Sequence, residues 1–373
     1  MENYNLLLKS LSDNAKTINK SGLCVEIRNC YDREEGMRDN RCIYASSVTR
    51  DDFKFNKDKL HPEFLANEIH LLGTEIYTSE LDRLRQTFGW ISTDKSIGIQ
   101  TSYQEIPYKY GDVGFYKYEL VSDDTDRPCM IFIHGGGFFA GSVQTIENQC
   151  KYLAYISNSV VIAVDYPLCP ENRFPCAVNA CYSVVNWVAN NADKLKINPK
   201  KICVGGDSAG GNLALVCSII DRDENKHNIA YQALIYPSLC KAESVQNPIF
   251  WSKDAYNNPY NDEIIEGNIK GVGQMTDLVK NWYLNEIDDI YNPYISPIYA
   301  DAKNLPKTLI ITAEYDFLTC SCEEYSRILN KANVKNRHIC YGGIHHGVFD
   351  WFNYLPQSED MILEIAKDIA TIY

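Results

Sequence analysis

Short apolar runs alternate with longer helix-forming stretches along most of this 373-residue chain. Runs rich in Val, Ile, Leu and Ala occur at 129–133, 201–205, 233–236 and 309–313, and a C-terminal amphipathic stretch covers 362–369. Continuous apolar runs of this length are typical of strands that are buried on both faces of a parallel sheet. The alternation therefore predicts an α/β fold with a mostly parallel central sheet flanked by helices.

Residues 1–100 are polar and follow a different pattern. Leu7, Leu11 and Ile18 predict an amphipathic helix at the start. Four further segments are predicted: two strands forming a hairpin, 23–27 and 42–48, across the charged turn 32–41, and two helices, 61–72 and 79–88.

Two further features divide the remaining chain. Segments 103–108 and 115–121, joined through the glycine-containing residues 111–114, predict an antiparallel hairpin that opens the main sheet. After the run at 233–236, residues 238–297 are aromatic and irregular, and so long an excursion is usually functional or disordered. We predict an N-terminal region over 1–100 and a catalytic domain over 101–373 that contains the excursion 238–297.

Charge, apolar content and cysteine usage indicate which partners and which cellular compartment to expect for this chain. The net charge is −13 and no long basic run occurs, so we expect no nucleic-acid partner. No apolar stretch approaches the length of a membrane span, and the opening residues lack the pattern of an export signal. The fourteen cysteines are scattered and form no Cys-x-x-Cys pair, which predicts free thiols in the cytoplasm. A homodimer built through the N-terminal region is left open.

Ser208 is the candidate nucleophile. It lies between an apolar strand at 201–205 and an apolar helix-former run at 212–220, in the sequence Gly-Asp-Ser-Ala-Gly-Gly. A strand, a sharp turn and a helix around G-x-S-x-G form a nucleophile elbow, in which Gly206 and Gly210 leave room for close approach. The pattern also arises by chance in glycine-rich loops, but the flanking elements favour the elbow.

A second glycine-rich segment follows the strand at 129–133 and reads His134, Gly135, Gly136, Gly137. Serine hydrolases need backbone N–H donors aimed at the oxyanion of the tetrahedral intermediate. One donor follows the nucleophile, which makes it Ala209, and the other comes from a loop of this His-Gly-Gly-Gly type. We expect His134 to anchor the loop rather than to carry a proton.

An acid and a histidine follow the last two predicted strands. Asp316 comes after the run at 309–313 and is preferred to Glu314 because it lies beyond the strand. His345 and His346 follow the next strand, and residue chemistry alone does not separate them. The order serine, acid, histidine is that of the α/β hydrolases, and both late groups end at the carboxyl edge of the sheet.

These motifs together resemble the hormone-sensitive-lipase-like esterases of the α/β-hydrolase superfamily. The matching segments are 134–137, 165–175, 206–212, Asp316 and 341–348. The resemblance implies His346 as the base, Asp316 as the acid, and Gly136, Gly137 and Ala209 as oxyanion donors. It also implies a cap over the site, built from residues 1–100 and 238–297.

The function that the resemblance implies is a serine carboxylesterase. Its substrates would be esters of short to medium acyl chain, acetyl-like in the simplest case, and water would be the second reactant. No cofactor and no metal is expected. An amidase or aryl-formamidase on the same scaffold is the nearer alternative, and a non-catalytic ligand-binding relative is the more distant one.

Overall fold

The computed structural model describes residues 2–39, 41–42, 81, 85 and 88–372, and a ten-stranded sheet forms its centre. In chain order the strands are β1 Lys16–Lys20, β2 Leu23–Arg28, β3 Ile99–Tyr108, β4 Gly111–Leu120, β5 Arg127–Ile133, β6 Val160–Asp165, β7 Ile197–Asp207, β8 Ile229–Ile235, β9 Lys307–Tyr315 and β10 Asn336–His345. Across the sheet they lie in the order β1-β2-β10-β9-β8-β7-β5-β6-β4-β3.

Strands in the middle of the sheet pair in parallel, from β2 through β10, β9, β8, β7 and β5 to β6. Antiparallel pairing occurs at the two edges, where β1 joins β2 and where β3 and β4 join β6. The predicted mostly parallel α/β sheet is therefore confirmed. The predicted opening hairpin is also confirmed as β3 and β4, although its turn lies at 109–110 and Gly114 is inside β4.

Helices cover both faces of this sheet. They are α1 Glu2–Asp13, α2 Val143–Ser157, α3 Cys176–Asn190, α4 Ala192–Leu195, α5 Ala209–Asp223, α6 Glu263–Tyr283, α7 Thr319–Lys331 and α8 Pro356–Ile369. One face packs against α3, α5 and α7, and the other against α1, α2 and α8. Successive residues of β5 alternate between these faces, as Ile131 and Phe132 do, because side chains alternate along a strand.

The N-terminal prediction was wrong in two respects. Helix α1 ends at Asp13, and Ile18 lies in β1 with 40 % of its surface exposed, so it is not part of a helical apolar face. Segment 23–27 is a strand as predicted, but its hairpin partner is β1, and its other edge pairs with β10. Only residues 21–22 connect β1 to β2, whereas the predicted hairpin needed a loop that included 32–41. The shorter loop costs less entropy to close, which favours pairing with β1.

Strands β1 and β2 also affect the predicted boundary at residue 100. They extend the central sheet beyond β10, so the first 28 residues pack as part of the α/β layer rather than apart from it. Residues 43–48 and the predicted helix at 61–72 lie outside the described residues, as does most of 79–88.

The excursion at 238–297 contains a helix that the pattern analysis missed. Helix α6 has 21 residues and begins after Asp262, whose carboxylate accepts the N–H groups of Ile264 and Ile265. Glycine at 267, 271 and 273 lowers the helix propensity, which hides the element. The acidic cap and the buried positions Ile265, Ile269 and Val279 are the signals that reveal it.

Candidate active site

Ser208 sits on a strained turn between β7 and α5. Its backbone has φ 54° and ψ −114°, a conformation that costs a non-glycine residue free energy. The neighbours must be glycine, since a Cβ on Gly210 would lie 2.0 Å from the Ile133 carbonyl oxygen, and one on Gly206 would lie 2.4 Å from the same atom. The turn projects Ser208 into a cavity at the carboxyl edge of the sheet.

A chain of two hydrogen bonds joins the serine to a buried acid through His346. The His346 Nε2 atom lies 2.8 Å from Ser208 Oγ, and its Nδ1 atom lies 2.7 Å from Asp316 Oδ2. Asp316 is fully buried, and its other oxygen accepts the N–H of Leu318 at 3.0 Å. The Tyr236 ring packs 4.6 Å from the imidazole. The imidazole is thus oriented by an acid on one side and available to a hydroxyl on the other.

Sheet topology explains why these three groups meet. Ser208, Asp316 and His346 each follow the carboxyl end of a parallel strand, β7, β9 and β10 respectively. Glu314, the other acid considered, still lies in β9 and pairs with Arg33 while accepting the N–H of Gly343 at 2.7 Å. It therefore supports the loop before the histidines and does not contact the imidazole of His346.

The two histidines occupy different environments. His345 also lines the cavity, and its Nδ1 atom lies 2.7 Å from the His346 carbonyl oxygen. Burial lowers the pKa of His345. For His346 burial acts in the same direction, but the Asp316 charge and its hydrogen bond outweigh it, so that the pKa is raised. Only His346 combines contact with Ser208 and an acid partner.

The glycine-rich loop lies beside the serine. Gly136 and Gly137 have positive φ values of 117° and 59°, and a Cβ on Gly136 would lie 1.9 Å from the Ala140 carbonyl oxygen. The N–H of Gly135 donates to Asp207 at 2.8 Å, which ties the loop to the elbow. Gly136, Gly137 and Ala209 all line the cavity.

His134 anchors this loop, as expected from the sequence. Its ring stacks on Tyr166 at 4.3 Å, and its Nδ1 atom lies 2.7 Å from the Gly135 carbonyl oxygen. Burial lowers the pKa of His134 to about 4, so the imidazole is neutral at physiological pH. It does not line the cavity, in keeping with a structural role.

The cavity has a volume of about 600 Å³ and draws its walls from segments that are distant in the chain. Besides the segments that carry Ser208 and His346, the walls include residues 88–90, the glycine-rich loop and one side of helix α6. The α6 contribution consists of Gly267, Asn268, Gly271, Val272, Met275, Thr276 and Val279. Such a volume suits a small to medium-sized organic molecule.

Two lining residues carry chemistry that the sequence analysis did not single out. Lys241 and Asp350 face this cavity, and both are buried. Neither belongs to a motif, and an isolated Lys or Asp in a loop gives no periodic or spacing signal. Only the tertiary arrangement identifies them.

The described residues contain neither a cluster suited to a metal ion nor a membrane-spanning helix. Within the described part of the chain, no group of three or more His, Cys, Asp or Glu side chains is placed to hold a metal ion. Among the same residues, no helix combines the length and apolar character needed to cross a bilayer.

Comparisons with known proteins agree with this geometry. A family model described as an alpha/beta hydrolase fold matches residues 130–350. An arylesterase of Saccharolobus solfataricus is 31 % identical over 246 residues, which cover 66 % of this chain and 76 % of the relative. Carboxylesterase NlhH of Mycobacterium tuberculosis is 28 % identical over 211 residues, and the match spans 62 % of its length, less than two thirds.

A solved esterase structure is also similar to this chain. The hyperthermophilic esterase of Pyrobaculum calidifontis is 34 % identical and superposes with a TM-score of 0.66, covering 73 % of this chain and 85 % of the esterase. The likeness thus extends from the motifs to the fold of the part of the chain that superposes.

Proposed function

Because this chain belongs to the hormone-sensitive-lipase-like esterases of the α/β-hydrolase superfamily, we propose that it is a serine carboxylesterase working through an acyl-enzyme. It is an ester-hydrolysing enzyme, as its esterase relatives are. The observation that carries the proposed mechanism is the hydrogen-bonded series Ser208, His346, Asp316 at the base of one cavity.

The proposed reaction begins at Ser208 Oγ. This oxygen attacks the ester carbonyl carbon while His346 Nε2 takes its proton. Asp316 holds Nδ1 of the imidazole and stabilises the imidazolium that forms. His346 then gives the proton to the leaving alcohol, and the acyl group remains on Ser208. A water molecule, activated by the same histidine, repeats the cycle and releases the carboxylic acid.

We assign the oxyanion site to the backbone N–H groups of Gly136, Gly137 and Ala209. The N–H of Ala209 is at the first position of α5, where backbone donors have no intrahelical acceptor. The positive φ of both glycines turns the loop at the edge of the cavity. Donors fixed in this way need no rearrangement when charge develops on the oxygen.

We further propose that residues 1–100 and 238–297 contribute a cap above the site. Support comes from the cavity walls, to which residues 88–90 and helix α6 both contribute. Ile265, Ile269 and Val279 of this helix are buried, and Val279 also lines the cavity. This cap would set which esters enter.

The proposed substrates are small-molecule esters of acetyl to about hexanoyl acyl chains. Their support is a cavity of about 600 Å³ with apolar walls at Val272, Met275 and Val279.

Hydrolysis of p-nitrophenyl esters from acetate to laurate tests the proposal. We expect turnover to peak at short chains and to fall by several orders of magnitude in Ser208→Ala, because the nucleophile is lost. Folded wild-type protein with no turnover on any ester would overturn the proposal. Formamide substrates would then be tried for the amidase alternative, and ligand-induced melting shifts for a binding protein.

A histidine pair provides a matched control. His346→Ala should lower kcat by about 10³-fold or more, because the base is lost. His345→Ala should keep most of the activity, since His345 contacts the His346 backbone and not Ser208. The reverse order of effects would contradict the assignment of His346.

A further inference from the structure

Lys241 is a buried lysine that lines the cavity. Only 1 % of its surface is exposed, and its Nζ atom donates to Ser238 Oγ at 2.5 Å. The same Nζ lies 4.8 Å from the centre of the Phe138 ring. A serine hydroxyl and a ring face carry no formal negative charge. Among residues that the structure describes, no carboxylate forms an ion pair with Lys241.

Several other buried charges among the described residues have a partner of opposite charge. Arg28 pairs with Asp360 at 2.6 Å, and Glu359 pairs with Lys95 at 2.7 Å. An ammonium group without a counter-charge is costly in a protein interior. Burial, reinforced by the charge of Lys280, lowers the pKa of Lys241 to about 7. An anion entering the cavity would raise that pKa and relieve the cost.

The loop that carries Lys241 is fixed in place. The N–H of Lys241 donates to Ser296 Oγ at 2.8 Å, and Asn212 Nδ2 donates to the Ser238 carbonyl at 2.7 Å. The N–H of Ser238 donates to the carbonyl oxygen of Ser208 at 3.1 Å. The ammonium is therefore held by a rigid segment that is bonded directly to the nucleophile's own turn.

Acids that share the cavity are engaged elsewhere. Asp207 accepts the N–H of Gly135 at 2.8 Å, and Asp350 accepts a backbone hydrogen bond from Trp90. Burial raises the pKa of both carboxyl groups, to about 6 for Asp207, which leaves the Asp207 carboxyl mostly ionised at neutral pH. Among the described residues, neither acid forms an ion pair with Lys241, whose Nζ donates to Ser238 Oγ.

We propose that Lys241 is the anion-recognising residue of this cavity and that the preferred ester carries a carboxylate on its acyl or its alcohol part. The inference rests on the proposed esterase function and adds the class of substrate. The carboxylate would accept a charge-assisted hydrogen bond from Nζ, while the remainder of the ester contacts the apolar walls at Val272 and Val279.

The test compares esters that differ by one carboxylate. Mono-p-nitrophenyl glutarate against p-nitrophenyl butyrate probes the acyl side, and para-acetoxybenzoate against phenyl acetate probes the alcohol side. We expect kcat/KM to favour the carboxylate ester in one of these pairs. Lys241→Met should reduce that ratio by about 30-fold, the effect of losing one charge-assisted hydrogen bond.

Lys280→Met is the matched control, because it removes a lysine charge close to Lys241. Unlike Lys241, Lys280 is paired with a carboxylate, that of Asp277, at 2.7 Å. We expect it to leave the ratio within about twofold, since surface pairs contribute little. The melting temperature of Lys241→Met should equal or exceed that of the wild type, because a buried unpaired charge is replaced by an apolar chain.

The outcomes separate the two proposals. Hydrolysis of neutral esters with no preference for either carboxylate ester, or a ratio that Lys241→Met leaves intact, would overturn the anion inference alone. Absence of hydrolysis on every ester would overturn the esterase proposal itself. A lowered melting temperature in Lys241→Met, with the ratio intact, would show that the lysine is structural.

Discussion

The protonation state of His346 links the site to pH. Asp316 lies 2.7 Å from its Nδ1 atom and stabilises the imidazolium, so the pKa is raised although burial opposes the charge. The proposed mechanism needs a neutral imidazole to accept the serine proton. Activity should therefore disappear as pH falls, and the midpoint of that loss should lie above the ordinary histidine value of 6.5.

The pH dependence of kcat/KM checks this expectation with Asp316→Asn as the comparison. Without the carboxylate, burial should lower the pKa of His346. The acid limb of the pH profile should therefore move to lower pH. The amide also fails to hold the required tautomer, so kcat should fall by about 10⁴-fold. A wild-type acid limb below 6.5, or an unchanged limb in Asp316→Asn, would contradict the proposed role of Asp316.

Residue identity predicted most of the candidate site, but not all of it. Spacing and order selected Ser208 and Asp316, while the adjacent histidines were distinguished by a family resemblance and then by distance. Lys241 had no sequence signal, because nothing in a single lysine indicates that a fold will bury it. Its environment is created by residues that are far apart in the chain, such as Phe138 and Ser296.

At the scale of elements, the N-terminal strands are the main addition to the sheet. Arg28, at the end of β2, contacts Asp360 at 2.6 Å and Glu364 at 3.0 Å on helix α8, and Asp360 also accepts the hydroxyl of Tyr341 in β10 at 2.8 Å. This buried network holds the added strand to the last helix and the neighbouring strand.

Arg28→Ala should destabilise the protein by about 3–5 kcal/mol, because it leaves the buried Asp360 carboxylate without its cation. Urea unfolding measures the change. Lys9→Ala serves as the control, since Lys9 and Asp13 form an exposed pair at 3.9 Å and their loss should have no measurable effect. Equal effects of the two substitutions would show that the network does not stabilise the fold.

Strong patterns predicted the elements that local physics dominates. The parallel strands were predictable because each is buried on both faces and therefore mostly apolar. Strand β1 and helix α6 were not, since β1 is largely exposed and α6 contains three glycines. The position of β1 depends on its pairing with β2, and that of α6 on its place in the cavity wall. The sequence pattern of each element does not contain this information.

For the whole molecule, the burial of the cysteines predicts which thiols react. Cys24 is exposed, Cys176 and Cys320 are partly covered, and the other cysteines are buried. Burial also raises the pKa of inner thiols, to about 12 for Cys30, so that few of them become the reactive thiolate. The cytoplasmic location and the homodimer stay predictions.

Ellman's reagent measures this property directly. The native protein should show one rapidly reacting thiol, and the denatured protein should show all fourteen without added reductant. Cys24→Ser should remove the rapid phase. Fewer than fourteen thiols in freshly purified, denatured protein would indicate disulfides and contradict the reduced state.

The sequence by itself determined the class of fold, the order of the nucleophile, acid and histidine, and the glycine positions of two tight turns. These follow from local requirements, because a buried strand must be apolar and a turn with positive φ or close backbone approach favours glycine. Tertiary structure alone decided the addition of β1 and β2, the walls of the cavity and the burial of Lys241. Those depend on contacts between segments far apart in the chain, for which local composition carries no signal.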